Sequence, residues 1–187
     1  LQFDEQLAAI ANMLGTHWTA TSLSLDDYPT GSQGTDTARL ALSTAVDAGQ
    51  AFTAYLGHSA PDRWTFSGLL SAQDVYAGFF SNIDRPTVLW SLGCYGTNFV
   101  QPNYDTIAHA MMLQNSGGAA AVLGASGLTT VSSDVAWINT LMLYLPHHRL
   151  GDAMMLSQRL LHASGSQFDD VAIGGNLLGD PTLRLNQ

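Results

Sequence analysis

Lysine is missing altogether, cysteine occurs once, and charged side chains make up only 11% of the 187 residues. Six arginines stand against fifteen Asp and Glu, leaving a net charge of −9. A surface of that sign repels a phosphate backbone, which argues against general nucleic-acid binding. The single cysteine, Cys94, excludes an intrachain disulfide framework and any zinc site built from several thiolates. No apolar run approaches the ~20 residues of a membrane-spanning helix, so no membrane span is expected. No basic segment followed by an apolar stretch opens the chain, so no signal peptide is expected within it. What remains is enough chain, residues 1–187, for one domain with a sizeable core.

Three continuous apolar runs dominate the middle: Ala51–Gly57, Thr87–Gly93 and Ala119–Ala125. Each is bounded by small or polar residues, the pattern of a strand buried on both faces. Between the first two, Ser71–Phe80 reads as a helix with Ser71 as its N-cap and Asp74 in its first turn. Further helices are expected at Leu1–Leu14, from a Thr35 cap to Ala48, from an Asn103 cap to Gln114, at Asp134–Leu145 and at Asp152–Ala163. Trp18–Leu25 is rich in Thr and reads as another strand. Gly179-Asp180-Pro181 reads as a turn feeding a short final strand. Alternating strands and helices predict an α/β fold with a mainly parallel sheet and helices on both faces.

In such a sheet, sites form beyond the carboxyl ends of the strands. The first run delivers His58 there and the second delivers Cys94. A free cysteine is most often an inert buried residue. Cys94, however, follows a strand and precedes a glycine-containing loop, and neighbouring strands ~5 Å apart would bring the thiol within reach of the imidazole. A histidine beside a thiol can take its proton, and the resulting thiolate is the nucleophile. Attack on a carbonyl develops an oxyanion, for which the backbone N–H groups near Ser59 and at Cys94 are the candidate donors. Asp26 and Asp27 read as a strand-ending turn. His109 reads as a helix residue, His162 as a favourable charge near a helix end and His147-His148 as surface residues. His17 has no visible partners.

Five segments carry a family resemblance: Tyr55–Trp64, Pro86–Phe99, Ile107–Met111, Gly118–Ser126 and Leu178–Leu183. In this order they resemble the histidine segment, the cysteine segment, the following helix and strand, and the closing Gly-Asp-Pro segment of gingipain-like cysteine peptidases, family C25. That family's histidine motif is Gly-His-Gly; here Ser59 replaces the second glycine. The resemblance implies a caspase-like three-layer sandwich whose first strand precedes Leu1, together with an acid that orients the histidine. It implies a cysteine endopeptidase acting on protein or peptide substrates, with Cys94 as nucleophile and His58 as general base and acid. Gly57, Tyr95, Gly127, Leu128 and Thr129 become candidates for substrate contact. So does Asp4, although Phe3 is the residue strictly aligned with the family's specificity acid. The resemblance further implies no cofactor beyond a structural calcium ion, secretion or cell-surface display, and an upstream fragment of the same precursor as partner. Two alternatives stand beside hydrolysis: a transpeptidase of a bacterial secretion system, and an inactive scaffold or binding domain.

Overall fold

The computed structural model describes residues 3–13 and 18–185. In chain order the elements are α1 (Phe3–Met13), α2 (Ser32–Asp47), β1 (Phe52–Leu56), β2 (Ser59–Ala60), β3 (Arg63–Trp64), β4 (Leu70–Ser71) and α3 (Ala72–Tyr76). They continue with β5 (Thr87–Leu92), α4 (Ile107–Leu113), β6 (Ala119–Ala125), α5 (Val131–Tyr144), α6 (Leu150–Ser164), α7 (Asp169–Ala172) and β7 (Gly175–Gly179).

The three apolar runs are the three parallel strands of a four-stranded sheet of order β1-β5-β6-β7, in which β7 alone is antiparallel. The register Leu56↔Leu92 makes β1 and β5 end level with each other. Every residue of β5 is buried, as a central strand covered on both faces requires. Its side chains alternate between two cores. Val88, Trp90 and Leu92 face α1, α5 and α6, while Leu89 faces the side of α2, α3 and α4. On the first side Trp90 and Trp137 meet edge to face, 5.6 Å between ring centres. The result is helix, sheet, helix: three layers, as expected.

A second, antiparallel sheet of order β2-β3-β4 springs from the end of β1. Its strands are two residues each, too short for any periodicity to announce them. Trp64 of β3 lies flat on Tyr55 of β1, ring centres 4.3 Å apart, and donates Nε1–H to Ser91 Oγ of β5 at 3.2 Å. That ties the small sheet to the main one.

Several expected boundaries are corrected. Trp18–Leu25 is not a strand: it has no ladder partner among the described residues, and a short 3-10 turn, Leu25–Asp27, capped by Ser24, closes it. The segment from Ser71 does fold as a helix with a full capping box, but α3 stops at Tyr76, where Gly78 takes φ +86°. Helix α2 starts at Ser32 rather than after Thr35. Thr106, not Asn103, caps α4, and Thr130 caps α5, since their hydroxyls reach the N3 amides first. Helix α6 begins at Leu150. The last strand, β7, precedes the Asp180-Pro181 turn instead of following it, because its backbone pairs antiparallel with β6. The Leu1 end of the first expected helix, its Leu14 end and His17 fall outside the described residues.

Candidate active site

His58 and Cys94 each sit two residues past the ends of β1 and β5, whose level termini bring both to one edge of the sheet. Gly57 N–H donates to the Leu92 carbonyl at 3.2 Å, which extends the ladder one step toward them. Close contact between the two loops is what makes Gly93 a glycine. Its φ is +150°, and a Cβ there would stand 2.4 Å from the Gly57 carbonyl oxygen and 2.5 Å from Ser59 Oγ. Ser59 Oγ in turn donates to the Cys94 carbonyl at 2.8 Å. The residue that departs from the family's second glycine is thus the clasp between the histidine and cysteine loops.

The backbone around His58 is held from two sides. Its carbonyl accepts from the Tyr55 hydroxyl at 2.6 Å and from Thr65 N–H at 2.9 Å. Burial pushes the Tyr55 phenol well above its ordinary range, which keeps it a donor. The imidazole itself is exposed, between the ring of Phe3 at 5.8 Å and that of Phe66 at 6.0 Å. Phe66, 95% exposed, was not singled out from the sequence; a lone Phe in a polar turn carries no periodicity to flag it.

Cys94 is a half-buried free thiol. Its Sγ–H points to the Thr129 carbonyl at 3.7 Å, and the thiol and imidazole are not hydrogen-bonded to each other. Tyr95 follows in the left-handed region, φ +61°, and donates its N–H to the Gly127 carbonyl at 2.8 Å. Thr97 then anchors the loop on β6, N–H to Ala125 and Oγ1–H to Gly124 at 3.0 and 2.7 Å. Among the described residues nothing accepts the Cys94 N–H, which leaves that donor free.

The other candidates divide. Ser59 and Thr129 bond to Cys94 directly, Tyr95 follows it and bonds to Gly127, and Gly57 bonds to Leu92, two residues before it. Leu128 projects outward, 66% exposed. Asp4 lies on α1 and lines a cleft of about 230 Å³ beside His58, with Phe3, Asp26, Gly57 and Phe66. Cys94, Gly127, Leu128 and Thr129 do not line that cleft, so Asp4 and the 127–129 loop belong to separate walls. Neither Asp4 nor Asp26 hydrogen-bonds the imidazole. Asp26 occupies the 3-10 turn, its N–H capped by Ser24 Oγ. His109 is a residue of α4, and His162, in the last turn of α6, pairs with Asp169 at 2.9 Å. No group of three His, Cys, Asp or Glu side chains among the described residues is disposed to hold a metal ion.

One buried group escaped the sequence reading. Asp134, in the first turn of α5, is 3% exposed; its Oδ2 accepts from Thr129 Oγ1 at 2.9 Å, and its Oδ1 has no partner. Burial pushes its carboxyl up to about 7, and neighbouring Asp170 adds to the rise. In sequence it looks like any acid at a helix N-terminus.

The sequence model of Peptidase family C25 matches residues 3–186. Among solved structures, the fold resembles the Arg-specific cysteine proteinase gingipain R, with a TM-score of 0.75, 13% identity and 97% of this chain covered. It also resembles a complex of the pro- and mature domains of a Porphyromonas gingivalis gingipain, with a TM-score of 0.73, 15% identity and 95% covered. A third structure, described simply as a protease, gives a TM-score of 0.60 at 16% identity over 75% of this chain. The chain spans 42%, 42% and 36% of those three proteins. No curated protein sequence matches it significantly.

Proposed function

The chain belongs to peptidase family C25, and on that premise we propose that it is the core of a cysteine endopeptidase. Cys94 attacks the substrate carbonyl, and His58 takes the thiol proton and returns it to the leaving amine. The acyl-enzyme is then hydrolysed by water that His58 activates, with no cofactor. The observation that carries this reading is the arrival of thiol and imidazole at one edge of the sheet on level, adjacent parallel strands. The unaccepted Cys94 N–H supports its role as an oxyanion donor, with the N–H of Ser59 as the second. In the resting chain the thiol proton rests on Thr129 O; substrate entering between the loops transfers it to His58, and catalytic hydrogen bonds commonly close only at that stage. Gly57, Tyr95 and the Gly127–Thr129 loop contact the substrate backbone. Asp4 and Asp26 give the His58 cleft an acidic wall.

An upstream fragment of the same precursor completes the sheet in this reading. Strand β1 is an edge strand: Ala51 and Gly57 bond toward β5, so the N–H and C=O groups of Phe52, Ala54 and Leu56 point the other way. A cleft of about 700 Å³ lies along that edge, walled on its far side by Trp18–Leu23 and free of charged lining residues. One extended apolar strand in this slot would pair with β1 and give Trp18–Leu23 its missing ladder. In this reading the active protein is secreted or displayed at the cell surface.

The test is labelling with a peptidyl acyloxymethyl ketone, followed by intact mass. Modification at Cys94 that falls at least tenfold in His58→Ala supports the dyad; a thiol no more reactive than free cysteine supports a non-catalytic scaffold instead. Product analysis with an added amine separates hydrolysis from transfer.

A further inference from the structure

Resting on the reading of Cys94 as nucleophile, we propose that Asp134 is a positioning residue for that thiol: through Thr129 it sets how firmly the sulfur is held away from His58, and gain or loss of its proton changes that hold. The chain of contacts is short. Cys94 Sγ–H rests on the Thr129 carbonyl at 3.7 Å, and the Thr129 hydroxyl donates to Asp134 Oδ2 at 2.9 Å. Both ends of the loop are pinned as well: the Gly127 carbonyl accepts from Tyr95 N–H at 2.8 Å, and Thr130 N–H donates to Asp170 Oδ2 at 3.0 Å. Thr129 is therefore the part of the loop whose position the buried carboxyl decides.

Asp134 is built to respond to pH. It is 3% exposed, and its second oxygen has no partner, so the ionised form lacks the hydrogen bonds a buried carboxylate needs. Burial pushes its pKa up to about 7. The elements packed against α5 carry Asp4 and Glu5 on α1, Asp152, Arg159 and His162 on α6, and Asp169 and Asp170 on α7. Of these, Asp170 alone raises the Asp134 pKa appreciably, while the Thr129 hydroxyl lowers it. Below this range the carboxyl is neutral and the loop carries no charge behind the thiol. Above it, the ionised carboxylate accepts more strongly from the Thr129 hydroxyl and so tightens the grip on the residue whose carbonyl holds the thiol.

The experiment follows alkylation of Cys94 by iodoacetamide between pH 5 and 9, by intact mass, in the wild-type chain, Asp134→Asn, Thr129→Val and Thr129→Ser. This readout needs no peptidase activity, so it stands or falls separately from the proposed reaction. The wild type is expected to show a flattening of the rate near pH 7. Asp134→Asn should remove it and alkylate about threefold faster above that pH. Thr129→Ser should keep the flattening and Thr129→Val should lose it. Should Asp134→Asn fail to fold, the Val and Ser pair decides the matter. Superimposable profiles for the wild type and Asp134→Asn, or for the two Thr129 variants, overturn the proposal.

Discussion

The distance between neighbouring atoms at Gly93 decides whether the two loops of the site can coexist. Any side chain there must displace the Gly57 carbonyl or Ser59 Oγ, and it must also adopt φ +150°. Gly93→Ala is therefore expected to lower unfolding free energy by about 2–4 kcal/mol, measured by urea titration. Ser59→Ala removes one hydrogen bond to a backbone carbonyl and should cost about 1 kcal/mol, while Ser59→Gly tests whether the family's own residue restores the loop by other means. His58 and Cys94 were legible in the sequence because each closes an apolar run. Asp134 was not, since its importance comes from an interior position that only packing against α7 and the 127–130 loop creates. The Ser59 clasp was hidden for the same reason: its partner lies 35 residues away.

Two helices carry carboxylates whose effects on stability oppose each other. At the start of α3, Asp74 accepts from Arg39 at 2.8 and 3.0 Å and from the Ser71 backbone and hydroxyl, and these bonds, Arg39 first, hold its pKa below the ordinary value. Its contribution is present above the unfolded value near 3.9 and is lost as pH falls through its lower folded value. Asp74→Asn should cost about 1 kcal/mol at pH 7, after allowance for partial exposure, and little at pH 2. Asp134 at the start of α5 acts in the other direction. Its folded pKa is raised to about 7, so stability is greatest below about pH 4 and declines as pH rises toward 7. Asp134→Asn should abolish that decline, worth on the order of 1–4 kcal/mol in denaturant titrations at pH 8 compared with pH 5. Among the elements, the continuous buried strands were readable from their unbroken apolar runs and the turn residues that bound them. The strand expected at Trp18–Leu25 was not realised, for residues with β-propensity form a strand only beside a neighbour to pair with. The pairs β2, β3 and β4 offered too few residues to read.

On the scale of the whole molecule, among the described residues no strand pairs with β1 on the side away from β5, and long free edges are a liability that folded proteins cover. Intact-mass analysis of the native protein is expected to find an upstream polypeptide bound along β1, with the amides of Phe52, Ala54 and Leu56 protected from hydrogen exchange in the complex and fast in the chain alone. Ala54→Pro removes a donor on the free side while sparing the bonds to β5, and should weaken that association. A chain that is stable and active with no second polypeptide would contradict the slot's assignment. No helix among the described residues is long and apolar enough to cross a membrane. The three-layer order was legible from alternation of elements; the slot was not, because it lies between two segments that share no backbone hydrogen bond among the described residues.

The most direct measurement is the rate at which a peptidyl acyloxymethyl ketone modifies Cys94 near pH 7, in the native protein and in His58→Ala. A thiol poised by an imidazole across two level strands predicts modification well above the rate for free cysteine, and at least a tenfold loss in the variant. Equal rates in both proteins, no faster than free cysteine, would contradict the account.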